Sequence, residues 1–458
     1  MKMKHARQLH RSAAWLPSAA HRAALPAPVR AAVDARLASD RCCCLPSMDL
    51  LPSAAVAAHA EADEQELVLL RRVYRRMGRL VAGYPRIALD IDEVWSEAQQ
   101  RLAVVGVQEG AYRFDRYRSQ PAPVCGQLDL LGFSREITRW AEPVVESLAW
   151  CRDQINTPAA DLGPKQLLSN FRKAAKGLPL RLRVMDAKAC QQAGLGALLA
   201  VGRASHRAPK LLVVDLAGPG LVTAMCGKGV CFDSGGLNLK PDKSMVLMRK
   251  DMGGAATVLA VMLAAARLRG AGRLRAYVPL VENAIGPDAF RPGDILRVCD
   301  GTTVEVGNTD AEGRLILADA IALARRQGAE RIVSVATLTG AALVALGRIH
   351  VPIMGDDEPV DAILAGATAS GEKCWRLPLD DDHLQLMRGQ IGDLRNDGNG
   401  EAGCITAGAF LRHFAGTVPF AHADISPASW RMADDDQGVL GGTGVLVTSL
   451  LEACSRFR

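Results

Sequence analysis

Aromatic residues make up only 4% of the 458-residue chain, and no basic helix interleaves them with lysine and arginine. Nucleic-acid binding therefore has little to rest on, despite a formal charge of +6. No H-E-x-x-H occurs, which excludes the helix-borne single-zinc motif. No C-x-x-C pair occurs either, so the 12 cysteines carry no zinc spacing. Scattered through a chain of this length, they read as free thiols of a reducing compartment, not as a disulfide framework. The longest apolar run, MGGAATVLAVMLAAA from Met252 to Ala266, falls short of the roughly 18 or more residues of a membrane span and reads as a buried helix. Acidic residues are missing from the start. The first is Asp34, after Lys2, Lys4, Arg7, Arg11, Arg22 and Arg30, so much of the positive excess is local.

What is present is an ordinary globular composition, 49% hydrophobic and 23% charged. The length predicts two domains, because single cores rarely grow beyond about 250–300 residues. Residues 1–60, rich in Ala, Arg, Ser, His and Pro, are expected to form a disordered extension. Their acid-poor, Arg- and Ser-containing composition also suits a transit peptide, so a mitochondrial or other organellar location stands as the alternative to a cytoplasmic one. Residues 61–141 read as a small N-terminal α/β domain, with EQELVLLRRVYRRMGRLV predicting an amphipathic helix and LAVVGV a buried strand. Residues 142–458 read as a large catalytic domain in which LLVVDL, LVTAMC, RAYVPLV and RIVSVATL alternate with helical stretches. That pattern predicts an α/β fold, a mostly parallel or mixed sheet sandwiched by helices. Functional groups in such sheets gather at the carboxyl ends of the strands.

The charges with the most unusual neighbours fall at those ends. Residues 308–315 read NTDAEGRL and lead directly into the helical run ILADAIALA. Thr309 and Glu312 have the spacing of a capping box, and Asp310 and Glu312 suit the positive end of a helix dipole. Arg314 sits at the end that least favours a cation, and Gly313 is a poor helix former inside the first turn. A second stretch, GKGVCFDSGGLNLKP at 227–241, follows the strand LVTAMC. Its D-S-G-G resembles the surroundings of a serine-protease nucleophile, but that chemistry requires a histidine and then an aspartate upstream. Beyond the first residues only His59 and His206 precede it, neither in a recognisable context. In MRKDMGGAA, Asp251 opens the apolar helix.

Asp233, Asp251, Asp310 and Glu312 together would offset two divalent cations. Oxygen ligands suit Mn²⁺ or Mg²⁺, and Zn²⁺ where the geometry is enforced. Paired metals polarise a carbonyl and activate water. Lys228 lies between Gly227 and Gly229, an odd place for a solvated lysine, and a buried lysine beside metals can lose its proton and bind through its amine. Lys240 and Arg314 are the candidates for stabilising negative charge on a tetrahedral intermediate. The alternative for either is a salt bridge to one of the four acids.

These residues carry a resemblance. NTDAEGRL, GKGVCFDSGGLNLKP, MRKDMGGAA and VATLTGA resemble the conserved blocks of the leucine aminopeptidases, or cytosol aminopeptidases, a family of dinuclear-metal exopeptidases. The resemblance runs from YRFDRYR near Tyr112 to GGTGVLVTSLLEA, about three quarters of the chain. It implies release of N-terminal amino acids, preferably leucine- or methionine-like, from peptides with a free amino terminus. Lys228, Asp233, Asp251, Asp310 and Glu312 would be the metal ligands for two divalent ions, Mn or Zn, with Co or Mg as other choices. Lys240 and Arg314 would be catalytic, with bicarbonate at Arg314 as the proton shuttle. Met248, Thr337, Leu338 and Gly340 would shape the pocket for the first side chain. A cytoplasmic homohexamer without membrane attachment is expected from the same likeness, although the N-terminal unit is shorter than usual. The rivals are a dinuclear-metal phosphoesterase and a nucleic-acid-binding or structural role added to or replacing catalysis.

Overall fold

The computed structural model describes residues 2–5, 13–16, 42–46, 54–58, 64–83, 86–90, 95–121, 127–269, 272–434 and 438–457. The chain divides into two compact units. One comprises Met1–Ala149 with Thr368–Glu372 and Arg431–Gly441, and the other holds the remainder. The two short returns of later chain into the first unit have no counterpart in the division expected from sequence.

In the first unit the elements are β1 (Lys2–His5), β2 (Ala13–Leu16), β3 (Cys42–Pro46), β4 (Ala54–Ala58), α1 (Glu64–Val81), β5 (Arg86–Asp90), α2 (Glu97–Ala111) and β6 (Gln127–Leu131). The strands form one sheet in the order β1-β6-β5-β2-β4-β3. Residues 1–60 were expected to be without structure. Four short stretches of them are instead strands, because extended segments that look featureless alone find hydrogen-bonding partners in the sheet; the rest of 1–60 lies outside the described residues.

LAVVGV, expected to be a strand, lies inside the helix α2. Two local features decide this. Ser96 and Gln99 form a capping box, with the Gln99 N–H donating to Ser96 Oγ at 3.3 Å and the Ser96 N–H to Gln99 Oε1 at 2.8 Å. Gly106 and Gly110 let the backbone of α1 come close, since a Cβ there would lie 2.7 Å from the Arg71 carbonyl oxygen and 1.9 Å from that of Arg75. A short apolar run buried on all sides has no period that separates strand from helix.

The second unit contains β7 (Leu180–Met185), β8 (Lys210–Leu216), β9 (Thr223–Gly227), β10 (Gly229–Asp233), α3 (Gly253–Leu268), β11 (Leu274–Asn283), β12 (Ile295–Arg297), β13 (Thr303–Glu305) and α4 (Glu312–Arg326). It continues with β14 (Arg331–Ala336), α5 (Ala341–Leu346), β15 (Val351–Gly355), β16 (Cys374–Arg376), β17 (Leu394–Arg395), α6 (Gly403–Ala415) and β18 (Phe420–Asp424). Its main sheet runs β16-β15-β18-β14-β9-β11-β8-β7, with β10 added to β11. The centre is parallel, β18, β14, β9, β11 and β10 all pointing the same way. β15, β8 and β7 bring antiparallel pairs at the two sides, which makes the sheet mixed.

The helices α3 and α4 both pack on β9, β11 and β14. The core cluster that holds α4 contains no residue of α3, so the two helices cover different faces. Met248–Leu268, the 3-10 turn plus α3, extends the apolar run enough to cross a membrane by length and composition alone. Its most apolar window is 89% buried inside the protein, as a core helix would be. The parallel centre brings the carboxyl ends of five strands, Gly227, Asp233, Asn283, Ala336 and Asp424, to one edge.

Candidate metal centre

Every charged residue singled out in the second unit's motifs lies at or just beyond that edge. Lys228 occupies the single residue between β9 and β10, and its glycine neighbours have a steric reason. A Cβ on Gly227 would lie 2.8 Å from the Gly254 carbonyl oxygen, and one on Gly254 would lie 2.1 Å from that of Val335. Strand end and helix start are thus pressed together, with the Lys228 N–H donating to Val335 O at 3.0 Å. The side chain is buried and its Nζ has three partners: Asp251 Oδ2 at 2.8 Å, Glu312 Oε1 at 2.9 Å and the Thr337 carbonyl oxygen at 2.9 Å.

Asp233 ends β10. Its Oδ1 accepts from Asn283 Nδ2 at 2.8 Å and from the Gly235 N–H at 2.9 Å, while Oδ2 lies 2.9 Å from Lys240 Nζ. Lys240 also reaches Asp310 Oδ1 at 2.5 Å, so the salt-bridge alternative for this lysine is realised in this structure. Asp251 stands on the 3-10 turn Met248–Met252, where Thr337 Oγ1 donates to its Oδ1 at 2.7 Å. One ligand oxygen each from Asp233, Asp310 and Glu312 lie within 4.8 Å of one another. Asp251 joins them through the shared Lys228.

The capping box expected at Thr309 does not form. No side chain caps α4, and Thr309 Oγ1 donates to Gly235 O at 2.6 Å and accepts from the Asn238 N–H at 2.8 Å. The loop that carries Asp233 outcompetes the helix for that hydroxyl. Gly313 also finds its reason here. A Cβ on it would lie 2.5 Å from Lys228 Cε and 2.7 Å from Nζ, so the lysine crosses the first turn of α4 where only glycine leaves room.

Four carboxylates face two ammonium groups, and the imbalance appears in their titration. Burial first, and then the neighbouring acids, push Asp251 and Asp310 up to about 6 and Glu312 up to about 7. Burial alone would lower Lys228 and Lys240, but the acids around them hold both above the ordinary lysine range. Glu312 is almost wholly buried, yet among the described residues neither of its oxygens accepts a hydrogen bond; Oε1 has the ionic contact with Lys228 and Oε2 has no partner there. Unmatched carboxylate oxygens at this depth are costly unless a cation meets them, and oxygen donors of this kind suit divalent ions. The residues present therefore fit a metal centre.

Arg314 is separate from this pairing. It is buried on α4, forms no ion pair among the described residues, and its Nε has no hydrogen bond. Burial pulls the guanidinium down to about 10 against the attraction of Glu312, Asp397 and Asp424. Of the residues expected to shape the first-residue pocket, Met248 and Leu338 are half-buried, Thr337 is buried and Gly340 is exposed.

Three further residues hold the site and drew no attention in the sequence. Asn283 ends β11 and ties Asp233 to the Thr309 carbonyl oxygen, at 2.8 and 3.0 Å. Asn396 accepts from the Gly307 and Asn308 N–H groups at 2.8 and 3.2 Å and donates to Asn308 O and Ala311 O at 2.6 and 3.3 Å. Asp424 ends β18 and accepts from the Leu338 and Thr339 N–H groups, each at 3.0 Å, and from the Thr339 hydroxyl at 2.7 Å. A polar residue closing an apolar strand is a usable signal for Asn283 and Asp424. Nothing in RNDGNG marks Asn396.

The profile of the cytosol aminopeptidase family, catalytic domain, matches residues 149–451. A probable cytosol aminopeptidase of Leifsonia xyli subsp. xyli is 38% identical over 426 residues, 88% of this chain and 85% of its own length. The chain belongs to the cytosol aminopeptidase family. One of Geotalea uraniireducens, also named a probable cytosol aminopeptidase, is 37% identical over 365 residues, 76% of this chain and 73% of its own. Among solved structures, the cytosol aminopeptidase of Coxiella burnetii superposes with a TM-score of 0.85 at 28% identity, covering 100% of this chain and 99% of its own. The bottromycin maturation enzyme BotP, solved in complex with Mn, superposes with a TM-score of 0.87 at 30% identity, covering 98% and 99%. Membership makes the protein a metal-dependent aminopeptidase, a leucyl aminopeptidase-type hydrolase of peptide bonds.

Proposed function

We propose that Asp233, Asp251, Asp310 and Glu312, with Lys228 as a neutral amine once divalent ions take over its pairing with Asp251 and Glu312, hold two divalent ions and that Lys240 and Arg314 act on the substrate beside them. The observation that carries this reading is the buried Glu312 carboxylate, two oxygens without a hydrogen bond inside a cluster with more acids than bases. Bound there, two divalent ions would supply Lewis acidity, polarising the first carbonyl and lowering the pKa of water. The acids around Lys240, Asp233 foremost, outweigh its burial and hold it above the ordinary lysine range. Its ammonium is then available to donate to the carbonyl oxygen as negative charge builds there. Arg314, buried and unpaired with the acids, offers its guanidinium to an anion, bicarbonate by the family resemblance.

Thr337 fixes both Lys228 and Asp251, while the half-buried Met248 and Leu338 provide apolar wall for the side chain of the first residue. Such walls suit leucine and methionine. Mn or Zn is the proposed metal, supported by the Mn of the BotP structure, with Co or Mg as further choices. A cytoplasmic location is proposed on the names of the relatives, and a homohexamer on the resemblance. Neither phosphoester hydrolysis nor nucleic-acid binding is favoured by any contact described above.

The test is release of leucine from leucine amide by protein stripped with a chelator and resupplied with Mn²⁺, Zn²⁺, Co²⁺ or Mg²⁺. Activity should vanish on stripping and return with metal. Activity that survives stripping, or that no metal restores in folded protein, would overturn the proposal.

A further inference from the structure

Among the described residues, Lys250 is an ammonium near the centre that the arrangement above leaves without a role. It lies on the same 3-10 turn as Met248 and Asp251, and the residue is only 8% exposed. Its side chain makes no hydrogen bond and no ion pair among the described residues, although an ammonium carries three donors. Lys228 and Lys240, by contrast, each pair with two carboxylates. The ammonium is not sealed in, for it is absent from the fully enclosed polar atoms that lack a partner.

The charges that act on Lys250 are, in order, Asp251, Arg348, Asp424 and Lys228. Both acids are already committed. Asp251 gives one oxygen to Lys228 and the other to Thr337. Asp424 gives Oδ1 to the Leu338 and Ser426 N–H groups and Oδ2 to Thr339. The other two charges are cations. With no acceptor bound among the described residues and its tip open to solvent, this ammonium offers an anion from outside a charge-assisted hydrogen bond. Asp424, one of the charges that act on Lys250, also fixes the segment Leu338–Thr339, so an anion at Lys250 would lie beside residues expected to shape the first-residue pocket.

We infer that Lys250 is a specificity-determining residue that makes the first-residue pocket accept an acidic side chain, glutamate above all. The inference rests on the aminopeptidase reading and names the substrate class of that same site. Glutamate suits both parts of the pocket. Its two methylenes lie along the apolar wall of Met248 and Leu338, and its carboxylate meets the Lys250 ammonium. The neutral isostere glutamine fills the same volume without supplying the charge, so the pair isolates the ionic contact.

The experiment compares kcat/KM for glutamyl, glutaminyl and leucyl 4-nitroanilides on the metal-loaded full chain, in the native protein and in Lys250→Met, which keeps the length of the stem. A hydrogen bond to a charged group predicts a glutamyl-to-glutaminyl ratio about tenfold or more above unity in the native protein. The ratio should fall to about one or below in Lys250→Met. In Lys250→Glu the preference should move to lysyl over glutamyl substrates, a gain that mere misfolding does not produce. A native ratio near one, or a ratio that Lys250→Met leaves unchanged, would overturn the inference. So would discrimination between dipeptides and their C-terminal amides that disappears with Lys250, since the anion would then be the substrate's C-terminus. Failure to cleave any of the three anilides with any metal would instead count against the aminopeptidase reading.

Discussion

Replacing Gly313 by alanine adds one methyl group to the first turn of α4, and two physical effects then pull in opposite directions. Alanine is the better helix former by roughly 0.8–1.0 kcal/mol, so propensity alone predicts a more stable protein. The new Cβ, however, would lie 2.5, 2.7 and 2.8 Å from Lys228 Cε, Nζ and Cδ. Ordinary contact between such atoms is about 3.5–4.0 Å, so the lysine must give way by roughly 1 Å. A surface lysine would do so at little cost. Lys228 is buried and tied at 2.8–2.9 Å to Asp251, Glu312 and Thr337, so its displacement loosens three contacts together.

Overpacking of this kind costs about 1–3 kcal/mol, enough to cancel or exceed the propensity gain. The effect on activity should be larger, because a displacement of about 1 Å in a catalytic arrangement can cost roughly a hundredfold. Gly313→Ala should therefore show a melting temperature unchanged or lowered, and a kcat/KM for leucine amide lower by about two orders of magnitude with saturating metal. A variant with raised melting temperature and kcat/KM within threefold of the native protein would refute the steric argument.

Two further outcomes rest on other contacts. Asn396→Ala removes four hydrogen bonds flanking Asp310, and supporting residues of this kind typically contribute about 10–100-fold in metal affinity; calorimetric titration with Mn²⁺ should show the loss, and unchanged affinity in folded protein would speak against it. In the first unit Arg71 lies 2.6 Å from Glu109, and although burial works the other way, Arg71 and Arg75 hold that carboxyl down from its ordinary 4.5 to about 2. A depressed acid stabilises fully above its unfolded pKa and loses the contribution as pH falls through the folded one, so about 3 kcal/mol should disappear between about pH 4.5 and 2. Unfolding followed along that range should be steeper with pH in the native protein than in Glu109→Gln, and equal slopes would remove Glu109 as the cause.

Much of the proposed site was legible because its chemistry is local. Asp233, Asp251, Asp310 and Glu312 each stand beside a strand end or a glycine-flanked turn, and Lys228 between two glycines already looked misplaced as a surface residue. The parallel centre of the sheet was also readable from apolar runs separated by helical stretches. Two local patterns misled. LAVVGV has the composition of a strand but is wrapped by other elements on all sides, and Thr309 with Glu312 has the spacing of a cap whose hydroxyl is taken by Gly235 and Asn238.

The sequence by itself determined which donors exist, their charge balance and the strand ends that carry them, because residue type and near-neighbour spacing are properties of the chain. Only the tertiary structure decided which of them meet. Lys228 lies 84 positions before Glu312 in the chain, yet their side chains are 2.9 Å apart. The parallel strands bring such distant segments to one edge, and there steric room and saturated acceptors, neither of which spacing encodes, decide what surrounds Gly313, Asn396 and Lys250.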